Sequence, residues 1–276
     1  MVEAKTLYVV GTPIGNLGDL SPRAAEILSE VDFIAAEDTR VTLKLLNHLG
    51  IKKPLVSYFE HNKAMKTAEI CRRIINGESC AVVSDAGMPC ISDPGEDLVR
   101  ECGNLGIKTV VVPGPSALIS ALCVSGLSTG RFTFEGFVSV NKKSRKEHLE
   151  SLLNENRTMI FYEAPHKLSN TLKDFYAYFG ERKLTIVREI TKIHEEVIRT
   201  DTKTAAETID ENPLKGEIVL VLEGKAKEEK AQMTLEEAVL LADKFISEGD
   251  KSSDAAKKAA LKSGLKKNEI YRELTK

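Results

Sequence analysis

Five apolar runs, separated by four segments of helical periodicity, occupy the stretch from Thr6 to Gly114. The runs are TLYVV, DFIAA, LVSYF, CAVVS and KTVVVPG; the segments between them are SPRAAEILSEV, VTLKLLNHLG, KAMKTAEICRRIING and EDLVRECGNLG. A strand that is apolar along its whole length is buried on both faces, and helices between such strands supply the cover. The pattern therefore predicts a parallel sheet with helices on either side. Local signals agree: Ser21 and Pro22 suit the N-cap and first position of the first helix, and Gly50 and Gly77 close the second and third.

After Pro113-Gly114-Pro115 the texture changes. A helix PSALISALCVSG is followed by RFTFEGFVS, TMIFYEAP, KLTIVREIT, HEEVIRTD and GEIVLVLEG, strands close enough in sequence to be antiparallel neighbours. KKSRK (142–146) reads as a basic loop before a helix. The fold class is thus α/β with two α/β domains: a parallel-sheet domain over 1–115, a mixed-sheet domain over 116–226, and a helical appendage over 227–276. KAKEEKAQ (225–232) reads as a charged linker. In the final 26 residues Lys and Arg outnumber Asp and Glu by eight to three, a distribution suited to a phosphate-facing tail.

Composition excludes several classes. With 42% hydrophobic and 29% charged residues the chain is globular, not disordered. No apolar run is long enough for a membrane span, and no signal peptide is expected. Five cysteines form no C-x-x-C pair, which suggests a reducing, cytoplasmic setting. Cys71, Cys80, Cys102 and Cys123 fall on apolar faces and read as buried. His166 and His194 lack metal-ligand spacing, so no metal is expected.

The loops carry the chemistry. GTPIGN, EDTR, FEHN and SDAGMPCISDPG each follow a strand of the parallel series, at the sheet edge where open α/β sheets bind ligands. Gly11, Gly15 and Gly18 match neither a dinucleotide fingerprint nor a P-loop, and no lysine is present for a phosphate. Pro13 stiffens that turn and removes a donor. No G-x-S-x-G or nucleophilic-cysteine signature is present.

Taken in order, GTPIGNLGDL, AEDTR, SYFEHN, SDAGMPCISDPG, VVPGPSA, FYEAPH, REITKIHEE and GEIVLVLEG resemble the bacterial RsmI family, the 16S ribosomal RNA (cytidine-2′-O)-methyltransferases of the tetrapyrrole-methylase fold. The resemblance runs from residue 7 into the tail; Lys167 stands where that family more often has arginine. It implies S-adenosylmethionine held between two α/β domains, a homodimer, and a target cytidine in the decoding region of the small ribosomal subunit. By position it implies cofactor contacts at Pro13, Ser84, Asp85, Ala86, Gly87, Ile91, Ser116, Ala117, Tyr162, Glu163 and Ile218. A ribose hydroxyl needs a proton acceptor, for which His61, Glu163, Glu60 and Asp38 are candidates. Arg40, Lys142, Lys143, Arg145, Lys167, Arg188 and Lys192 are candidates for RNA phosphates, with Phe59 or Tyr162 able to stack on a displaced base. Two other readings compete: a methyltransferase for a tetrapyrrole precursor, and a non-catalytic ribosome-assembly factor.

Overall fold

The structure is a computed structural model that describes residues 2–226 and 233–275. Residues up to Lys225 form one compact unit, and residues from Ala226 a second.

The first unit begins β1 (Thr6–Val10), α1 (Pro22–Glu30), β2 (Phe33–Ala36), α2 (Thr39–His48), β3 (Leu55–Ser57), α3 (Lys63–Ile75), β4 (Cys80–Val83), α4 (Glu96–Asn104) and β5 (Lys108–Val112). The strands pair in the order β3-β2-β4-β1-β5, every pair parallel. Because successive side chains alternate faces, each strand serves two cores. Leu7, Val9, Phe33, Ala35, Cys80 and Val82 pack with residues of α3 and α4. Tyr8, Val10, Ile34, Ala36, Ala81 and Val83 pack with residues of α1 and α2. At roughly 1.5–3 kcal/mol per fully buried aliphatic side chain, this two-sided burial is what demands the continuous apolar runs. The first helix starts as its sequence requires: the Ser21 side chain accepts a hydrogen bond from the Ala24 amide, with Pro22 at the first position.

The chain continues through α5 (Ala117–Ser125), β6 (Phe132–Phe137), α6 (Lys142–Ser151), β7 (Thr158–Glu163), α7 (Pro165–Phe179), β8 (Lys183–Arg188), β9 (Glu196–Asp201), α8 (Thr202–Thr208) and β10 (Ile218–Leu222). Its sheet runs β6-β7-β10-β8-β9 and is mixed: β6 and β7 are parallel, the other pairs antiparallel. Leu118, Ala121 and Leu122 of α5 cover one face. On the other, Leu149 of α6, Phe175 of α7 and Ala205 of α8 pack with Phe161 of β7.

Two sequence expectations need correction here. KKSRK is not a loop: it opens α6, because Asn141 caps the helix by accepting from the Lys143 and Ser144 amides. Cys123 is exposed, unlike Cys71, Cys80 and Cys102, because it lies on the outer face of α5.

The second unit contains α9 (Leu235–Ser247), α10 (Ser252–Ser263) and α11 (Lys267–Leu274). Thr234 and Glu237 form a capping box at the start of α9. The three helices close on Ala238, Ala242, Ala255, Ala256, Ala259 and Ile270, all fully buried. The expected linker at 225–232 lies, from residue 227 onward, outside the described residues. Among the described residues no helix is long and apolar enough to cross a membrane, and no cluster of His, Cys, Asp and Glu is arranged to hold a metal.

Candidate functional site

The parallel strands end at one edge, and the loops leaving them are fastened to each other by backbone. Thr12, after β1, exchanges two hydrogen bonds with Gly87, after β4, at 2.9 and 3.1 Å. Gly11 and Gly114 approach so closely that a Cβ on Gly114 would lie 2.8 Å from the Gly11 Cα. The loop after β4 turns sharply: Gly87, Cys90, Ser92 and Gly95 have φ of 82°, 73°, 63° and 139°. For Cys90 and Ser92 that left-handed backbone costs roughly 1–3 kcal/mol each, strain that clusters at functional sites.

Between this edge and the second sheet lies a cavity of about 390 Å³. The first half contributes Ile14, Ala86, Gly87, Met88, Ile91 and Asp93; the second contributes Tyr162, Glu163, Ile190, Glu217 and Ile218. Ser116 and Ala117 at the start of α5, and Ala164 and Pro165 at the start of α7, also line it. The start of α5 has no side-chain cap and offers backbone amides and the positive end of a dipole to a ligand anion, whereas at the start of α7 Pro165 has no N–H and the Ala164 amide is taken by Glu163. No lysine or arginine lines the cavity, whereas three carboxylates do: Asp93, Glu163 and Glu217. Burial pushes the Asp93 carboxyl up to about 6, with the charge on Glu37 adding to it and a hydrogen bond from Ser84 opposing. Burial likewise raises Tyr162, whose ring stands edge-on to Phe134 and Phe137 at 4.9 and 5.6 Å. Chemically this is a seat for a ligand with a cationic centre and a flat, uncharged body.

Of the residues singled out from sequence, Ala86, Gly87, Ile91, Ser116, Ala117, Tyr162, Glu163 and Ile218 line this cavity together. Pro13, Ser84 and Asp85 do not. They line a second cavity of about 280 Å³ with Thr12, Gly15, Leu17 and, from α2, Val41, Thr42, Lys44 and Leu45. The Thr12–Gly87 pair separates the two spaces, Thr12 facing the second and Gly87 the first. Asp85 accepts a hydrogen bond from the Asp38 amide at 3.0 Å, and its own amide donates to Glu37 at 3.4 Å. It thereby ties the loop after β4 to the one after β2.

The candidate proton acceptors fall in different settings. Glu163 is buried in the cavity wall, accepting from the Ala164 amide and the Thr171 hydroxyl. Arg145 donates to that same Thr171 and to Asp174. Glu60 and His61 lie on the turn after β3 and line neither cavity; Glu60 pairs with Lys63 at 2.8 Å and His61 stands edge-on to Phe59. The Asp38 carboxyl is held down at about 2 by the Arg40 guanidinium.

The candidate cations divide in the same way. Lys142, Lys143 and Arg40 are exposed, although Arg40 pairs with Asp38. Lys167 is half-buried in the first turn of α7. Arg145 is committed to Asp174, Arg188 to Glu196 at 2.7 Å, and Lys192 to Glu189 and Glu217 at 3.0 and 3.1 Å. Asp93 and Lys44 join the site only in the folded chain: Asp93 is the second aspartate of SDAGMPCISDPG, whereas Lys44 carries no signal in the sequence beyond its helical spacing from Val41.

The profile of the tetrapyrrole (corrin/porphyrin) methylases matches residues 6–206. "Ribosomal RNA small subunit methyltransferase I" of Synechocystis is 46% identical over 266 residues, covering 96% of this chain and 95% of its own. The Bacillus subtilis protein of the same name is 42% identical, covering 96% of this chain and 92% of its own. Among solved structures, the methyltransferase CobJ superposes with a TM-score of 0.59 at 16% identity, over 80% of this chain and 94% of its own. A diphthine synthase gives 0.58 at 15% identity, over 80% and 90%. These last two are likenesses of fold alone.

Proposed function

Because the chain belongs to the tetrapyrrole methylase family and, within it, to the ribosomal RNA small subunit methyltransferase I family, we propose that it methylates 16S ribosomal RNA from S-adenosylmethionine at a ribose 2′-hydroxyl. The target of this reading is a cytidine of the decoding region, presented by the assembled small subunit. One observation carries the cofactor side: a cavity at the junction of the two sheets whose lining has three carboxylates, one open helix start and no lysine or arginine.

That chemistry fits S-adenosylmethionine. The cofactor supplies a methyl group made electrophilic by a sulfonium cation. Asp93, ionised at neutral pH, favours that positive charge, and the amides opening α5 suit a carboxylate. Ile14, Ile190, Ile218 and Tyr162 give the apolar walls that an adenosine requires. In-line transfer depends on alignment above all, and the backbone fastening of Thr12 to Gly87 and Gly11 to Gly114 keeps the walls fixed. Of the carboxylates, Asp93 is the best suited to take the hydroxyl proton: it lines the cavity, and its raised pKa brings it closer to the working pH. The two hydrogen bonds that Glu163 accepts make it a brace for the start of α7.

The relatives named for methylation of small-subunit ribosomal RNA, at 42–46% identity over nearly the whole chain, favour this reading over a tetrapyrrole precursor. A homodimer has support in the apolar side chains left exposed on neighbouring elements, Val111 of β5 with Ile119 and Val124 of α5. A cytoplasmic setting belongs to the same reading, since that is where small subunits are made.

The deciding experiment is transfer of radiolabelled methyl groups from S-adenosylmethionine to small subunits of a strain lacking the endogenous enzyme. Label should map to one ribose by methylation-sensitive hydrolysis. Label on a porphyrinogen and none on RNA would overturn the reading.

A further inference from the structure

The second cavity is lined by a different set of residues from the one read as the cofactor seat, yet both are lined by loops of the same sheet edge. Val41, Lys44 and Leu45, three and four residues apart, present one face of α2 to it. Pro13 and Leu17 close the opposite side, so the walls are largely aliphatic. Two charged groups interrupt them. The Lys44 ammonium is exposed and has no ion-pair partner among the described residues. Asp85 has one carboxylate oxygen engaged by the Asp38 amide, and no described residue bonds the other.

We propose that this second cavity seats the target nucleotide drawn out of the RNA, with the free oxygen of Asp85 accepting the exocyclic amine of its base and Lys44 facing a phosphate. The inference rests on the ribosomal RNA reading above. Chemistry on a nucleotide within structured RNA needs that nucleotide extruded, and its Watson–Crick edge is then read by side chains. A carboxylate is acceptor-only, so it accepts from the amine of cytosine and repels the carbonyl oxygen that uracil has in the same place. The largely aliphatic walls hold a ring without selecting among rings, which leaves the choice to Asp85. The two spaces are lined by neighbouring residues of the same loops, Thr12 against its bonded partner Gly87 and Asp85 against Ala86, so a ribose attached to a base in one space reaches the rim of the other.

Three variants of the full chain test this on small subunits carrying either cytidine or uridine at the mapped position. Val41→Trp and Leu17→Trp, both at partly exposed positions, fill the second cavity. They should lower methyl transfer tenfold or more, with affinity for S-adenosylmethionine, read by calorimetry, within twofold of wild type. In Asp85→Asn the carbonyl stays with the Asp38 amide and the NH₂ group faces the base, so the preference for cytidine over uridine should fall by about tenfold or more. The inference is overturned if the tryptophan variants transfer at the wild-type rate, if they lose the cofactor in parallel, or if Asp85→Asn keeps the wild-type preference. A wild-type protein that binds the cofactor but labels no RNA overturns the ribosomal RNA reading itself, and this inference with it.

Discussion

Gly11 and Gly114 touch backbone to backbone: a Cβ on Gly114 would meet the Gly11 carbonyl carbon and Cα at 2.8 Å. Neither neighbour is a flexible side chain that could swing aside. Gly114→Ala should therefore force apart the loops after β1 and β5, at a cost of roughly 2 kcal/mol or more. Thermal unfolding should show a Tm lower by about 5 °C or more. Gly103 is the control, since a Cβ there meets nothing within 4 Å inside α4. Gly103→Ala should stabilise by roughly 0.5–1 kcal/mol.

Asp93 sets a pH dependence of known sign. Its folded pKa lies near 6 against an ordinary 3.8, pushed up by burial and by Glu37 and Asp85 nearby. Its protonated form therefore adds stability that is complete below about pH 4 and gone once the pH has passed about 6. Asp93→Asn should be more stable than wild type at pH 7.5, by roughly 1 kcal/mol after allowance for solvent screening, and no more stable near pH 4. Cofactor affinity should move oppositely, rising with pH through about 6 in wild type and staying flat in the variant. Calorimetry across that range, beside thermal melts, checks both.

The basic face of α6 should split into two behaviours. Lys142 and Lys143 are exposed, so Lys142→Ala and Lys143→Ala should each reduce the salt slope of RNA binding by about one and leave Tm unchanged. Arg145 instead holds Asp174 and the Thr171 hydroxyl that reaches Glu163. Arg145→Ala should cost roughly 2–3 kcal/mol of stability. A variant that loses RNA affinity with an unchanged Tm would contradict that assignment.

The cysteines should label in order of exposure. Cys123 is open to solvent. Cys71 and Cys102 lie with their sulfurs 3.8 Å apart inside the core, and burial raises both thiols, Cys102 to about 12. Cys90 is half-buried and raised to about 11. A thiol reagent at neutral pH should modify Cys123 first, and Cys71, Cys80 and Cys102 only on unfolding. Mass spectrometry of the digested protein reads the order directly.

The parallel sheet was legible because burial on both faces leaves a mark in every strand, and the cap at Ser21 because it is local. What required the folded chain was the direction in which residues face. α5 is apolar around most of its circumference, so its sequence does not tell which side meets the sheet, and Cys123 was misplaced for that reason. KKSRK reads as solvated loop in isolation. The Asn141 cap and the Lys143–Glu147 and Lys146–Glu150 pairs, four residues apart, make it helix. In the site, the loop after β4 was recognisable as a ligand loop. The division of its residues between two spaces depends on the Thr12–Gly87 pair, which joins positions 75 residues apart in sequence.

The walls of the first cavity also decide what is kept out. ATP carries the same adenosine as S-adenosylmethionine and is abundant in every cell. Its triphosphate would face Asp93 and Glu163, with no lysine or arginine in the lining and the nearby Lys192 ammonium already paired with Glu189 and Glu217. Two like charges about 5 Å apart repel by about 3 kcal/mol at an effective dielectric constant near 20. An excess of ATP should accordingly leave S-adenosylmethionine binding unmoved in a competition titration. A pocket that held adenosine by shape alone would be clogged by the commonest nucleotide in its surroundings; here the sign of the charge keeps the door.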